Sequence, residues 1–116
     1  MNYKLVAYGA LLFFITQILI WYQGNGQFVY KWFKENTLIL TLLGIPISFF
    51  MIVATRYTVE GLGGVLWPMR FIAFSTGIFI FTILTWYHMD EPINLKTGVS
   101  LLLATAIVLI QLFWKS

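Results

Sequence analysis

The sequence predicts an all-α membrane protein of four transmembrane helices in a single domain, residues 1–116, and three observations lead there. Hydrophobic residues make up 60% of the chain and charged residues only 9%, whereas soluble domains carry about a quarter charged residues. Four long stretches, 5–22, 37–55, 71–87 and 97–114, contain no charge at all. Each comes close to the ~20 apolar residues that a hydrocarbon core of about 30 Å requires. Four spans of that length use about 80 residues, so only short connections and tails are left over. The helices are expected at about 4–22, 37–56, 58–88 and 96–115.

The first span follows Lys4 and closes on Trp21 and Tyr22, aromatic residues suited to the headgroup level. It is longer than the apolar region of a signal peptide and lacks small residues at its end, so it is expected to be a retained helix. A turn at Gly24-Asn25-Gly26 leads into QFVYKWFKEN. There Phe28, Val29, Trp32 and Phe33 share one helical face and Lys31, Lys34 and Glu35 the other. That pattern fits either a short helix lying in the interface or an ordinary aromatic loop.

The second span carries Gly44 and Pro46 near its middle, which predicts a kink. Arg56 and Tyr57 are expected to close it. The third span is the irregular one, because TVEGLGGVLWPMR precedes its uncharged part. A helix over 58–88 would be about 45 Å long, more than the hydrocarbon core. The expectation is therefore a helix kinked or broken near Pro68, or a separate glycine-rich half-helix. The loop HMDEPIN then leads to a fourth span rich in small residues (Gly98, Ser100, Ala104, Thr105, Ala106), which let membrane helices approach closely.

Four spans place Lys4, Arg56 and Lys115 on one side and Lys31, Lys34 and Lys96 on the other. That balance gives almost no orientation by the positive-inside rule. Either both orientations insert, permitting an antiparallel dimer, or counts this small balance by chance. The net charge of +3 is scattered rather than clustered, which points to membrane anchoring and not to nucleic acid. The chain has no cysteine, which excludes disulfides and thiolate sites. With His88 the only histidine, no multi-histidine metal site forms within one chain. No nucleophile-elbow or phosphate-loop motif is present. No enzyme activity, metal or cofactor is expected, and His88 is read as a loop cluster with Asp90 and Glu91.

The closing segment, TGIFIFTILTWYHMDEPINLKTGVSLLLATAIVLIQLFW, resembles the final hairpin of the drug/metabolite transporter superfamily. In that superfamily an apolar helix ends in an acidic turn close to GEP, followed by a glycine-led helix rich in Leu, Ile and Val. The counterparts here are Asp90-Glu91-Pro92 and the helix from Gly98. The length, the four-span plan and the start YGALLFFITQILI resemble the small multidrug resistance branch, which works as a dimer of four-helix chains. The resemblance implies a bundle of that fold and a bacterial or phage-encoded inner membrane. That branch binds protons and cations through a glutamate in helix one, and in the ungapped match its place is taken by Phe14. Residues 5–22 hold no acidic group, so proton-coupled cation export by that route is not expected.

The expected function is a small transporter of an organic solute, a homodimer through the fourth helix with a central pathway. The candidate substrate-binding residues are Arg70, Trp67, Glu60, Gln17, Thr16, Ser48 and Ser75. A charge in the hydrocarbon region faces a cavity or a partner, and a guanidinium there would hold a carboxylate or phosphate. An anionic or zwitterionic solute is expected on that basis. Otherwise Arg70 caps the third span and snorkels to the headgroups, Trp67 is belt or packing, and Glu60 is a loop residue. The alternative function is a non-transporting membrane scaffold or accessory subunit.

Overall fold

The computed structural model describes residues 2–114, and among them every regular element is helical. Helix α1 (Tyr3–Asn25) starts where the Asn2 side chain accepts from the N–H groups of Lys4 and Leu5, at 3.1 and 3.3 Å. That contact satisfies two donors which the first turn leaves unpaired. A 3-10 turn (Gly26–Phe28) leads to α2 (Lys31–Glu35). Of the two alternatives for this segment a short helix is the one formed, and Lys31 pairs with Glu35 at 3.6 Å on its exposed side.

The second span is α3 (Thr37–Leu42) followed by α4 (Gly44–Gly61), interrupted at Leu43. Pro46 has no N–H to offer the Leu42 carbonyl and its ring crowds that oxygen. The ladder resumes with the Ile47 N–H on the Leu43 oxygen at 3.1 Å. The interruption falls three residues before the proline, within a helical stretch that runs over Thr37–Gly61. The third span differs more from expectation. Thr58–Gly61 belongs to the end of α4, and α5 (Trp67–Met89) starts with Pro68 in its first turn. The glycine-rich stretch is a turn rather than a half-helix, and the break expected near Pro68 lies just before it, so residues 58–88 are not one helix. Gly63 and Gly64 take φ of 81° and 91°, a conformation that side chains with a Cβ rarely adopt. Their N–H groups bond the Glu60 and Val59 carbonyls at 3.2 and 2.8 Å, sealing the end of α4.

Helix α5 stops at Asp90, which holds the left-handed conformation (φ 54°, ψ 29°) usual just past a helix end. Helix α6 (Leu95–Phe113) begins where the Asn94 side chain accepts from the Thr97 N–H at 2.9 Å. Lys115, read as closing this span, lies outside the described residues. Four helical stretches, Tyr3–Phe28, Thr37–Gly61, Trp67–Met89 and Leu95–Phe113, are long and apolar enough to cross a membrane.

Helix α1 packs against both α4 and α5, and α6 packs against α5. The result is a flat slab with extents of 49 × 36 × 18 Å. Helices α1 and α4 approach closely at Gly9, which faces the backbone of Ala54 and Thr58, and at Gly61, which faces that of Asn2 and Val6. Phe13, Ala54, Ile72 and Ala73 form the core of the slab. At the same end the Asn2 N–H donates to the Gly61 carbonyl at 2.7 Å, tying the start of α1 to the end of α4.

Candidate functional site

The seven candidate residues fall into three separate places. Glu60, Trp67 and Arg70 flank the α4–α5 turn, and all three are exposed. Arg70 stands in the first turn of α5, its N–H on the Leu66 carbonyl at 3.2 Å. Three residues from the helix start is only about 4.5 Å along the axis, a depth from which a long cationic side chain reaches the headgroups. Trp67 is 70% exposed and stacks on Phe71 with ring centroids 6.2 Å apart. Among the described residues the Lys31–Glu35 contact is the one ion pair, so Glu60 and Arg70 are not joined.

Thr16, Gln17 and Ser75 lie at mid-depth, where their polar atoms serve the helices themselves. Thr16 is fully buried and donates to the Leu12 carbonyl one turn back at 2.6 Å. The Gln17 carboxamide donates across to the Ala73 carbonyl of α5 at 3.4 Å, in space left open by Gly77. Ser75 donates to the Ala104 carbonyl at 3.1 Å and so ties α5 to α6. These bonds compensate hydroxyl and amide groups that would otherwise be unsatisfied away from water. Ser48 stands alone on the exposed flank of α4.

The structure does form a cleft, and of the seven candidates Ser75 alone lines it. Helices α1, α5 and α6 leave about 280 Å³ between them, walled by Phe14, Ile72, Phe79 and Leu109. Its three hydroxyls, on Ser75, Thr76 and Thr105, each donate to a backbone carbonyl, at 3.1, 2.9 and 3.0 Å. No charged side chain lines it. The lining is therefore hydrocarbon with a few hydroxyl oxygens as acceptors, suited to an uncharged apolar molecule. Arg70, Trp67 and Glu60 take no part in it.

At the opposite end of the slab His88 is not grouped with Asp90 and Glu91. Its ring stacks on Trp21 (5.1 Å, 22°) and shares a 2.8 Å hydrogen bond between Nε2 and the Tyr22 hydroxyl. Tyr30 and Tyr87 present their rings edge-on at 6.0 and 4.9 Å. The buried Trp21 indole also donates to the Thr85 hydroxyl at 3.1 Å. This cluster locks the end of α5 to the end of α1.

Compared with protein-family models, with curated proteins and with solved structures, the chain gave no match. What the site does chemically is therefore argued from its own residues. Phe14 and the Trp21–Tyr22–His88 group were not among the candidate site residues. Trp21 and Tyr22 carried a visible aromatic signal in the sequence, but their meeting with a histidine 66 or more positions away did not.

Proposed function

We propose that the chain is a small multi-pass membrane transporter of an uncharged, lipophilic organic solute, working as two copies joined through α6. The observation that carries this reading is the apolar cleft between α1, α5 and α6, with Phe14 in its wall. In the small multidrug resistance branch that the sequence resembles, the place of Phe14 belongs to the glutamate that binds protons and cations. An aromatic side chain there keeps the position and changes the chemistry from cation binding to apolar contact. The anionic or zwitterionic solute expected from Arg70 is set aside, because Arg70 stands outside the cleft at the start of α5.

Two further features support the reading. Asp90 holds a left-handed backbone, the conformation for which the glycine of the superfamily's GEP turn is suited. Helix α6 has only 6% of its apolar stretch buried, against 28% for α5, so it is the span with most surface left for a second copy. Small residues on it, Ser100 and Ala106, are exposed and allow close approach.

The test is flux through reconstituted vesicles loaded with uncharged aromatic solutes chosen because they raise the protein's Tm. Transport predicts faster efflux than from protein-free vesicles, slowed in Phe14→Trp, where the larger ring occupies the cleft. If no stabilising solute moves faster, transport is refuted. The remaining reading, a non-transporting membrane scaffold, is favoured by one observation: the mid-depth polar groups of Thr16, Gln17 and Ser75 are all committed to helix packing.

A further inference from the structure

The second span is firmly packed on one side of Leu43 and barely packed on the other. Helix α4 lies along α1, whereas α3 makes at most marginal contact with it. Of the residues of α3 only Leu40 is buried. Between α3, α2 and the end of α1 is a cavity of about 340 Å³, lined by Gln23, Gln27, Phe33, Thr37, Leu40 and Thr41. A segment with few buried apolar contacts is one that opens locally while the rest of the fold stays closed.

Both ends of α3 are joints. At its start Asn36 leaves the helical region (φ −120°, ψ 48°), and no side chain caps the first turn. The Asn36 amide instead turns back to the Trp32 carbonyl, at 2.7 Å. At its end the Leu43 N–H is shared between the Ile39 and Leu40 carbonyls, at 3.3 and 3.1 Å. Pro46 brings no N–H to the Leu42 carbonyl, so the ladder across this joint is one rung short. Hinges are typically such element ends, which take up changes of φ and ψ.

The segments on either side are held. Phe33 of α2 sits against Gly26, where an added Cβ would run into its ring, and edge-on to Tyr22 at 6.4 Å. Beyond the second joint Ile47 is buried, and its N–H donates to the Leu43 carbonyl at 3.1 Å. Among the described residues one hydrogen bond joins α3 to α1: Gln23 Nε2 donates to the Leu40 carbonyl at 2.9 Å.

We propose that α3 is a lid on two hinges, Asn36 and Leu43, which swings off the end of α1 and opens the cavity behind it, with Gln23 as its latch. Anchored ends confine the motion to rotation about the line joining the hinges, so α2 and α4 keep their places. Opening breaks the Gln23 bond and exposes Leu40, and disturbs nothing in the core around Phe13 and Ala54. The lid stands beside the end of α1 that carries Trp21 and Tyr22, so it gives access from the headgroup level. It is separate from the cleft and independent of any transport role.

The experiment measures distances between pairs of spin labels on the full chain in lipid vesicles. The chain has no cysteine, so introduced pairs report alone. Leu11 on α1 is the fixed point, with Leu38 on the lid and Ile45 just past its second hinge as probes, and all three are exposed. The Leu11→Cys/Leu38→Cys pair should give a broader distance distribution than Leu11→Cys/Ile45→Cys. Gln23→Leu removes a hydrogen bond that is worth a factor of about 2–10 in an equilibrium. It should raise the open fraction at Leu38 by that factor and leave Ile45 unchanged. Pro46→Ala returns the missing N–H and should narrow the Leu38 distribution, a second reading should Gln23→Leu disturb the fold. A Leu38 distribution no broader than that of Ile45, no response to either variant, or equal broadening at Ile45 overturns the proposal.

Discussion

Replacing Gly9 by alanine adds one methyl group at the crossing of α1 and α4, and the structure sets what that methyl meets. It would lie 2.9 Å from the Thr58 backbone nitrogen and 3.0 Å from the Ala54 carbonyl oxygen, besides colliding with the Thr58 hydroxyl. Ordinary contacts to carbon lie at about 3.5–4.0 Å. The Thr58 side chain can rotate, because no partner holds its hydroxyl, but the two backbone atoms cannot move without the helix. The helices must therefore part by about 0.5–1 Å, and overpacking of this kind costs about 1–3 kcal/mol. Alanine's better helix propensity returns about 0.5–1 kcal/mol, leaving a net loss of up to about 2.5 kcal/mol. Gly98→Ala in α6 is the control, since nothing lies within 4 Å of its added Cβ and only the propensity gain remains. Unfolding in mixed micelles, followed by helical circular dichroism, compares the two variants. If Gly9→Ala proves as stable as Gly98→Ala, the close α1–α4 crossing is refuted.

Four further outcomes are expected. Thr58→Val should be neutral or stabilise by about 1 kcal/mol, because its buried hydroxyl lacks a partner; a clear loss in the same unfolding assay would mean that the hydroxyl is bonded. Tyr22→Phe should destabilise by about 0.5–1.5 kcal/mol through loss of the 2.8 Å bond to His88, and the His88 imidazole resonances should shift with it. Ser75→Ala should cost about 0.6 kcal/mol, the usual value for a hydrogen bond between membrane helices, and should raise hydrogen exchange at the α5–α6 contact. Asp90→Gly should leave stability unchanged or raise it by up to about 1 kcal/mol, since glycine suits the left-handed backbone there; a lowered Tm would show that the aspartate side chain supports the turn.

The sequence by itself determined the number of spans and most of their limits. Charge-free runs bounded by Lys4, Arg70, Lys96 and aromatic belts report a length requirement, and length can be read without knowing any neighbour. Pro46 marked its break for the same reason, because a missing N–H acts within one turn of its own helix. Gly63 and Gly64 were equally visible, yet they left open whether the chain breaks there. Glycine permits either a tolerated helix or a positive φ, and only the turn's own hydrogen bonds to Glu60 and Val59 decided for the second. That choice put Glu60 at the end of α4 and Arg70 in the first turn of α5, the arrangement in which Arg70 caps the third span. Which polar side chains face a cavity was decided by tertiary structure alone. Thr16, Gln17 and Ser75 have the same chemistry as site residues, and their carbonyl partners on Leu12, Ala73 and Ala104 became visible only once the helices were packed. The stacking of Trp21 on His88 and the cleft beside Phe14 belong to the same class. Each depends on how helices rotate about their axes, and in a chain apolar on nearly every face no hydrophobic periodicity fixes that rotation.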